Sequence, residues 1–425
     1  MSIYDKASLV HIPSGVKSGT LYNVLPNNAD GDFDFTRSST ATRVNKDGLI
    51  ETVAIGVPRL NYPLLDGVVQ DCPTLLLEPS RTNLITYSED FSDASWTKSG
   101  ASVTSGFVSP DGNDNAFKLV EGTSSNQFIR TSHTVTTGNN TISIFVKADE
   151  RDWILLWDGF SSKGRYFDVK NGNIGGFRSS APDSSSIDNI GNGWFRCSMT
   201  VNSVSTNLQN QIYLADGDGS FSYTGNGTSG VYIWGAQLEA GSYPTSYLKT
   251  EGSTVTRSAD AANGAEATFN DSEGVLYGNI AALADDGTNR QSALSDNSSS
   301  DRVMMNLHAT SNQIQGYITN GSGEQADMRF VVADSTLFNK VAVKYKLNDC
   351  ALWVNGFEVA TETSATMLVG LQVYDFDNYG GSLPFYGKTK QLMTFNEALS
   401  DSELEALTSY SSFNEMATEQ LYTIE

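Results

Sequence analysis

Thr141-Ile142-Ser143-Ile144-Phe145-Val146-Lys147 alternates, with Ile142, Ile144 and Val146 on one face, and Trp153-Ile154-Leu155-Leu156-Trp157 follows as an unbroken apolar run. Period-two alternation marks a strand with one buried face, and a short apolar run marks a strand buried on both. Gly193-Trp194-Phe195-Arg196-Cys197-Ser198-Met199-Thr200-Val201 and Gly230-Val231-Tyr232-Ile233-Trp234 continue the series. Clusters of Gly, Asn, Asp and Ser separate these segments, as turns require. Many short strands without a helical period predict a β-sandwich or jelly roll over 83–250.

Residues 251–268 are small and polar and read as a linker. A second all-β unit is expected over 269–411. Val341, Val343 and Tyr345 alternate with Ala342, Lys344 and Lys346, and Asn355-Gly356 stands between Ala351-Leu352-Trp353-Val354 and Phe357-Glu358-Val359-Ala360. Asn and Gly tolerate the positive φ values of a type I′ hairpin turn. One short C-terminal helix is predicted, because Ser400-Asp401-Ser402-Glu403 is a capping box ahead of Leu404 and Leu407. Residues 412–425 read as a polar tail. Residues 1–82 are different: six of the ten prolines fall there, at 13, 26, 58, 63, 73 and 79. Proline fixes φ and removes a donor, so this segment is expected to be extended and to lie along another surface. Asn45-Lys46-Asp47-Gly48 within it reads as a hairpin turn. The fold class is thus all-β: an extended N-terminal anchor, two β-sandwich (jelly-roll) domains and one short helix.

Composition narrows the function. The net charge of -22 makes phosphate backbones and anionic lipid poor partners, so neither nucleic acid nor membrane is expected. Three cysteines, Cys72, Cys197 and Cys350, lie far apart without metal-ligand spacing and read as small buried hydrophobes. No signal peptide is visible at Met1-Ser2-Ile3-Tyr4-Asp5 and no long apolar run occurs, which fits assembly in bacterial cytoplasm.

Asp34-Phe35-Thr36-Arg37-Ser38-Ser39-Thr40-Ala41-Thr42-Arg43-Val44-Asn45, Pro58-Arg59-Leu60-Asn61-Tyr62 and Leu75-Leu76-Leu77-Glu78-Pro79-Ser80-Arg81-Thr82-Asn83-Leu84 form a long ordered set of strings. Together with Trp234-Gly235-Ala236-Gln237-Leu238-Glu239-Ala240-Gly241, they resemble the head- and tail-fibre or spike proteins of tailed phages that carry carbohydrate-binding modules. The likeness covers 33–260. Residues 269–411 resemble a concanavalin-like, laminin-G-type sandwich through the Asn355-Gly356 hairpin and Phe395-Asn396-Glu397-Ala398-Leu399-Ser400. The resemblance implies a virion structural protein that contacts other virion proteins through 1–82, forms a homo-oligomer (a trimer by family likeness) and binds host-surface polysaccharide. A glycan-cleaving tailspike enzyme and a purely architectural capsid decoration are the alternatives.

Arg37, Arg43, Arg59, Glu78 and Arg81 are charges set among apolar residues and suit structural pairing or anchoring, since a guanidinium fork clamps carboxylates or carbonyls. Trp153, Trp157, Trp194 and Trp234 are expected in the core, leaving Trp96, Tyr223 and Tyr379 as loop aromatics for a sugar ring. Asp216-Gly217-Asp218-Gly219-Ser220 opens like a calcium loop but lacks the later ligands, so Asp216 and Asp218 are the candidates for a structural Ca²⁺, and no other cofactor is implied. His11, His133 and His308 sit in no hydrolase or zinc motif, and Asp375 and Asp377 read as a polar loop. No catalytic residue is assigned.

Overall fold

The computed structural model describes residues 3–412 and 415. It is almost entirely β, with one α-helix among the described residues. The first sandwich stacks two six-stranded antiparallel sheets. One runs in the order Ala101–Phe107, Ala116–Glu121, Gly230–Ala240, Gly138–Ala148, Trp194–Ser203, Ser184–Asn189. The other runs Thr97–Ser99, Phe128–Thr134, Asn207–Ala215, Trp153–Asp158, Lys163–Asp168, Asn173–Ser179. Ile142, Ile144 and Val146 face inward and meet Ile154, Leu156 and Phe167 from the facing sheet, as the two sequence patterns require.

The second sandwich has a six-stranded sheet from Ala265–Glu266 to Gly323–Val331 and an eight-stranded sheet centred on Glu273–Ala282 and Gly387–Phe395. Asn355 and Gly356, at φ 50° and 92°, turn Cys350–Val354 into Phe357–Glu362. The helix Asp401–Thr408 buries Leu404 and Leu407, and the Glu403 carboxylate accepts the Ser400 N–H at 2.9 Å.

Three expectations are corrected. Residues 1–82 are not a separate extended segment but are woven into the second sandwich. Ala7–His11 and Thr74–Leu76 both pair with Gly387–Phe395, and Arg59–Asn61 pairs with Thr74–Leu76. Leu9, Leu21, Phe33, Phe35, Leu75 and Leu77 lie in the second sandwich's core. The segment's short strands fit between its prolines, and burying those apolar residues outweighs leaving them extended. Nor is 251–268 a loose linker, since Val255–Arg257 pairs with Arg81–Asn83 and Ala261–Asn263 pairs with Phe33–Thr36. Cys72 is exposed, whereas Cys197 and Cys350 are buried. The tail read over 412–425 lies outside the described residues except Ser412 and Glu415.

Candidate functional site

Beneath the junction of the two sandwiches lies a cluster of five buried charges. Arg37 donates to Asp260 Oδ1 at 3.1 Å, Arg59 to Glu78 Oε2 at 2.5 Å and also to Asp260, and Arg257 pairs with Glu78 Oε2 at 2.7 Å. Burial alone would push the Glu78 carboxyl up, but Arg257 and Arg59 outweigh it and hold it well below the usual carboxylate range. Ser246, from the end of the first sandwich, donates its N–H and hydroxyl to Glu78 at 2.8 and 2.7 Å. The cluster therefore ties the N-terminal segment, the first sandwich and the 251–268 stretch into one unit. Of the charges singled out in the sequence, Arg37, Arg59 and Glu78 meet here. Arg43 instead pairs with Glu51 at 2.6 Å across its own hairpin, and Arg81 stacks on Tyr243.

Above this cluster a cleft of about 1010 Å³ opens between the sandwiches. Its first wall follows from the alternation in Trp194–Ser203. Cys197, Met199 and Val201 point into the core, so Arg196, Ser198 and Thr200 point out. On the neighbouring strand Ser186 is in register with Ser198 and their hydroxyls hydrogen-bond at 2.8 Å, while Asp188 is in register with Arg196. The Arg196 guanidinium is fixed by the Thr245 carbonyl at 2.7 Å and the Ser143 hydroxyl at 3.0 Å, over the Phe145 ring.

The opposite wall holds Asp285, Asp286, Thr336 and Lys388. Lys388 sits on the Gly387–Phe395 strand, in register with Leu76, and forms no hydrogen bond or ion pair among the described residues. Burial lowers its pKa, against the pull of Asp188 across the cleft and of Glu78 below. The walls are joined by the Ser242 hydroxyl, which donates to Asp286 at 3.0 Å. The cleft is thus preformed, and its lining mixes hydroxyls, carboxylates, two guanidinium groups and an ammonium.

The aromatics proposed as sugar platforms line other places. Trp96 is a core residue: its indole N–H donates to the Tyr87 carbonyl at 2.9 Å and its ring packs on Phe91. Its loop-like sequence neighbours hid that contact. Tyr223 donates to Glu121 at 2.6 Å beneath Arg151, and Tyr379 lies half-buried beside Arg302. Trp157, Trp194 and Trp234 are buried, and Trp153 is half-buried. Asp216 and Asp218 do not converge on a calcium site. Asp216 pairs with Arg151 at 3.0 Å and Asp218 accepts the Gly176 N–H at 2.7 Å. Arg257, Asp260, Asp188 and Lys388 escaped the sequence reading. Only the alternation around Arg196 could have pointed to one wall.

Neither a family model nor a curated protein matches the chain. Among solved structures, part of the chain is similar to the CBM40 module of a Ruminococcus gnavus IT-sialidase bound to α2,3-sialyllactose, at 17% identity and TM-score 0.29 over 33% of this chain and 84% of that one. Part is similar to domain 4 of a GH43 arabinanase from Geobacillus stearothermophilus with arabinotriose, at 10% identity and TM-score 0.31 over 40% and 83%. A SAP-like pentraxin from Limulus polyphemus aligns at 12% identity and TM-score 0.28 over 36% and 76%. Likenesses this distant assign no function.

Proposed function

We propose that the protein is a fibre or spike component of a tailed-phage virion, assembled in the host cytoplasm, and that it holds a neutral host-surface glycan in the cleft between its sandwiches. The observation that carries the glycan reading is the cleft lining. Sugar hydroxyls both donate and accept, and here Lys388 and Arg196 offer donors, Asp188 and Asp285 offer acceptors, and the Ser186, Ser198 and Thr336 hydroxyl oxygens offer further acceptors. A cleft of about 1010 Å³ is at the upper end of small-ligand sites and suits an oligosaccharide rather than one ring. Each such open site binds weakly, and a homo-oligomer displayed in many copies converts weak sites into avidity.

The virion reading is supported by the ordered strings at 34–45 and 75–84. Contact with other virion proteins through 1–82 is supported by the exposed apolar side chains Tyr4, Val24, Ile55 and Val68 on that segment. The test is immunogold labelling and mass spectrometry of purified particles, combined with adsorption inhibition by the free protein. Label on projections and slowed adsorption are expected. Particles lacking the chain would end the virion reading, and unchanged adsorption with an excess of free protein would end the attachment reading.

A further inference from the structure

A single cross-strand row spans the second sheet of the first sandwich: Thr97, Arg130, Gln211, Trp157, Gly164 and Arg178, each in register with the next. Ile129, Ile212 and Leu156 point into the core, so Arg130, Gln211 and Trp157 point out. Arg178 belongs to the same outward face, because its guanidinium lies over the Trp157 ring. The cleft described above opens on the other sheet, so this face is separate from it.

The two arginines of the row differ from all the others. Each remaining arginine donates to a carboxylate, a carbonyl or a side-chain oxygen. Arg130 and Arg178 form no hydrogen bond or ion pair among the described residues, although 49 acidic residues outnumber 27 basic ones in the chain. Acids near the row are engaged by N–H groups. Asp218 accepts from Gly176 at 2.7 Å, and Asp158 from Phe160, Ser161 and Gln209 at 3.1, 3.1 and 2.9 Å. Arg178 is nevertheless held in place. Its guanidinium carbon lies 4.2, 3.7 and 5.3 Å from the ring centroids of Trp157, Phe221 and Tyr213. Stacking uses the flat face of the group and leaves its N–H edge for an acceptor, and Nη1 is buried without one. A buried donor in that state costs free energy that folding ordinarily avoids.

The floor between the two arginines is fixed by a hydrogen-bonded ladder. The Tyr213 hydroxyl donates to Gln211 Oε1 at 3.0 Å, Gln211 Nε2 to Gln209 Oε1 at 2.6 Å, and Gln209 Nε2 to Ser132 Oγ at 3.1 Å. A Cβ at Gly159 would collide with both amides, so glycine there makes room for the ladder. Arg130 stands two strands from Trp157, roughly 10 Å.

We propose that this face binds an acidic polysaccharide, with Arg130 and Arg178 each gripping a carboxylate and the Gln209–Ser132 end of the ladder meeting sugar hydroxyls between them. A carboxylate matches a guanidinium fork with two parallel hydrogen bonds. The net charge of -22 repels a polyanion, but at physiological salt that repulsion is screened beyond about 8 Å, leaving the local guanidinium groups to decide. The central strands Asn207–Ala215 and Trp153–Asp158 are paired on both sides. They offer an extended acidic peptide no backbone edge, so recognition here falls to side chains. The inference stands apart from the cleft reading and survives its failure.

The test is calorimetry on the full chain with oligogalacturonate and hyaluronate, with dextran as the neutral control. Saturable binding of a carboxylated glycan is expected at low salt and loss of it at about 1 M NaCl, with no heat from dextran. Arg130→Gln should bind at least about tenfold more weakly at an unchanged Tm, since Arg130 has no partner to lose. Arg178→Gln should do the same, and Arg178→Lys, which keeps the charge and loses the fork, should also weaken binding. Arg329→Gln, on the second sandwich, should bind as the wild type does. No heat from either acidic glycan, equal binding of dextran, wild-type affinity in Arg130→Gln, or tighter binding of polyglutamate than of both glycans would overturn the assignment.

Discussion

Replacing Asp260 by Asn should destabilise the protein by about 3–5 kcal/mol, the cost of removing one partner from a buried ion pair. The side chains of Arg37, Arg59, Arg257 and Asp260 have no exposed surface, and Glu78 is 4% exposed. Asp260 faces Arg37 and Arg59 and also accepts the Glu78 N–H at 2.8 Å. The amide keeps the volume but cannot offer two anionic oxygens. Three guanidinium groups would then be left with a single carboxylate in a region water does not reach. Arg43→Met is the matched control, because its pair with Glu51 is partly exposed, at 25% and 37%, and is worth about 1 kcal/mol or less. Urea denaturation followed by tryptophan fluorescence reads both. An Asp260→Asn midpoint as close to wild type as that of Arg43→Met would refute the view that this cluster locks the sandwiches together.

Three further outcomes are expected. The His11 ring is buried, donates from Nδ1 toward the Asn23 side chain at 2.9 Å, and has no acceptor at Nε2, so burial lowers its pKa from 6.5 to about 4. Because the unfolded chain protonates first, the stability His11 contributes is complete above about pH 6.5 and is lost as pH falls toward 4, a term of about 3 kcal/mol; His11→Asn should flatten that limb of a stability–pH curve, and an unchanged slope would count against it. Deleting residues 1–11 should expose the edge of Gly387–Phe395 and promote aggregation, read by light scattering, whereas a fully soluble, equally stable truncation would mean the N-terminal strand is dispensable. Gly356→Ala should cost about 1–2 kcal/mol, since φ is 92° and a Cβ would stand 2.7 Å from the Ser409 hydroxyl; an unchanged Tm would contradict the turn assignment.

What could be read from the sequence was local. Asn355-Gly356 declared a hairpin because few residue types accept two positive φ values in a row. Residues 141–147 declared a strand because their apolar side chains recur with period two. Pairings across the length of the chain carried no such mark. Nothing in Ala7-Ser8-Leu9-Val10-His11 names Gly387–Phe395 as its partner, and the prolines around it suggested a segment without a core of its own. Arg257 and Asp260 stand in a stretch of small polar residues, and only folding sets them against Arg37, Arg59 and Glu78. The cleft is of the same kind: Asp188 and Lys388 belong to different sandwiches, and only their packing makes them neighbours.

The most direct measurement is equilibrium binding of purified host-surface polysaccharide to the immobilised full chain, with Lys388→Met and Asp188→Asn alongside. Saturable binding by the wild type is expected. Each variant, folded with an unchanged Tm, should bind at least about tenfold more weakly, the worth of one hydrogen bond to a charged group. Wild-type binding in both variants would place the glycan elsewhere and contradict the assignment of the cleft.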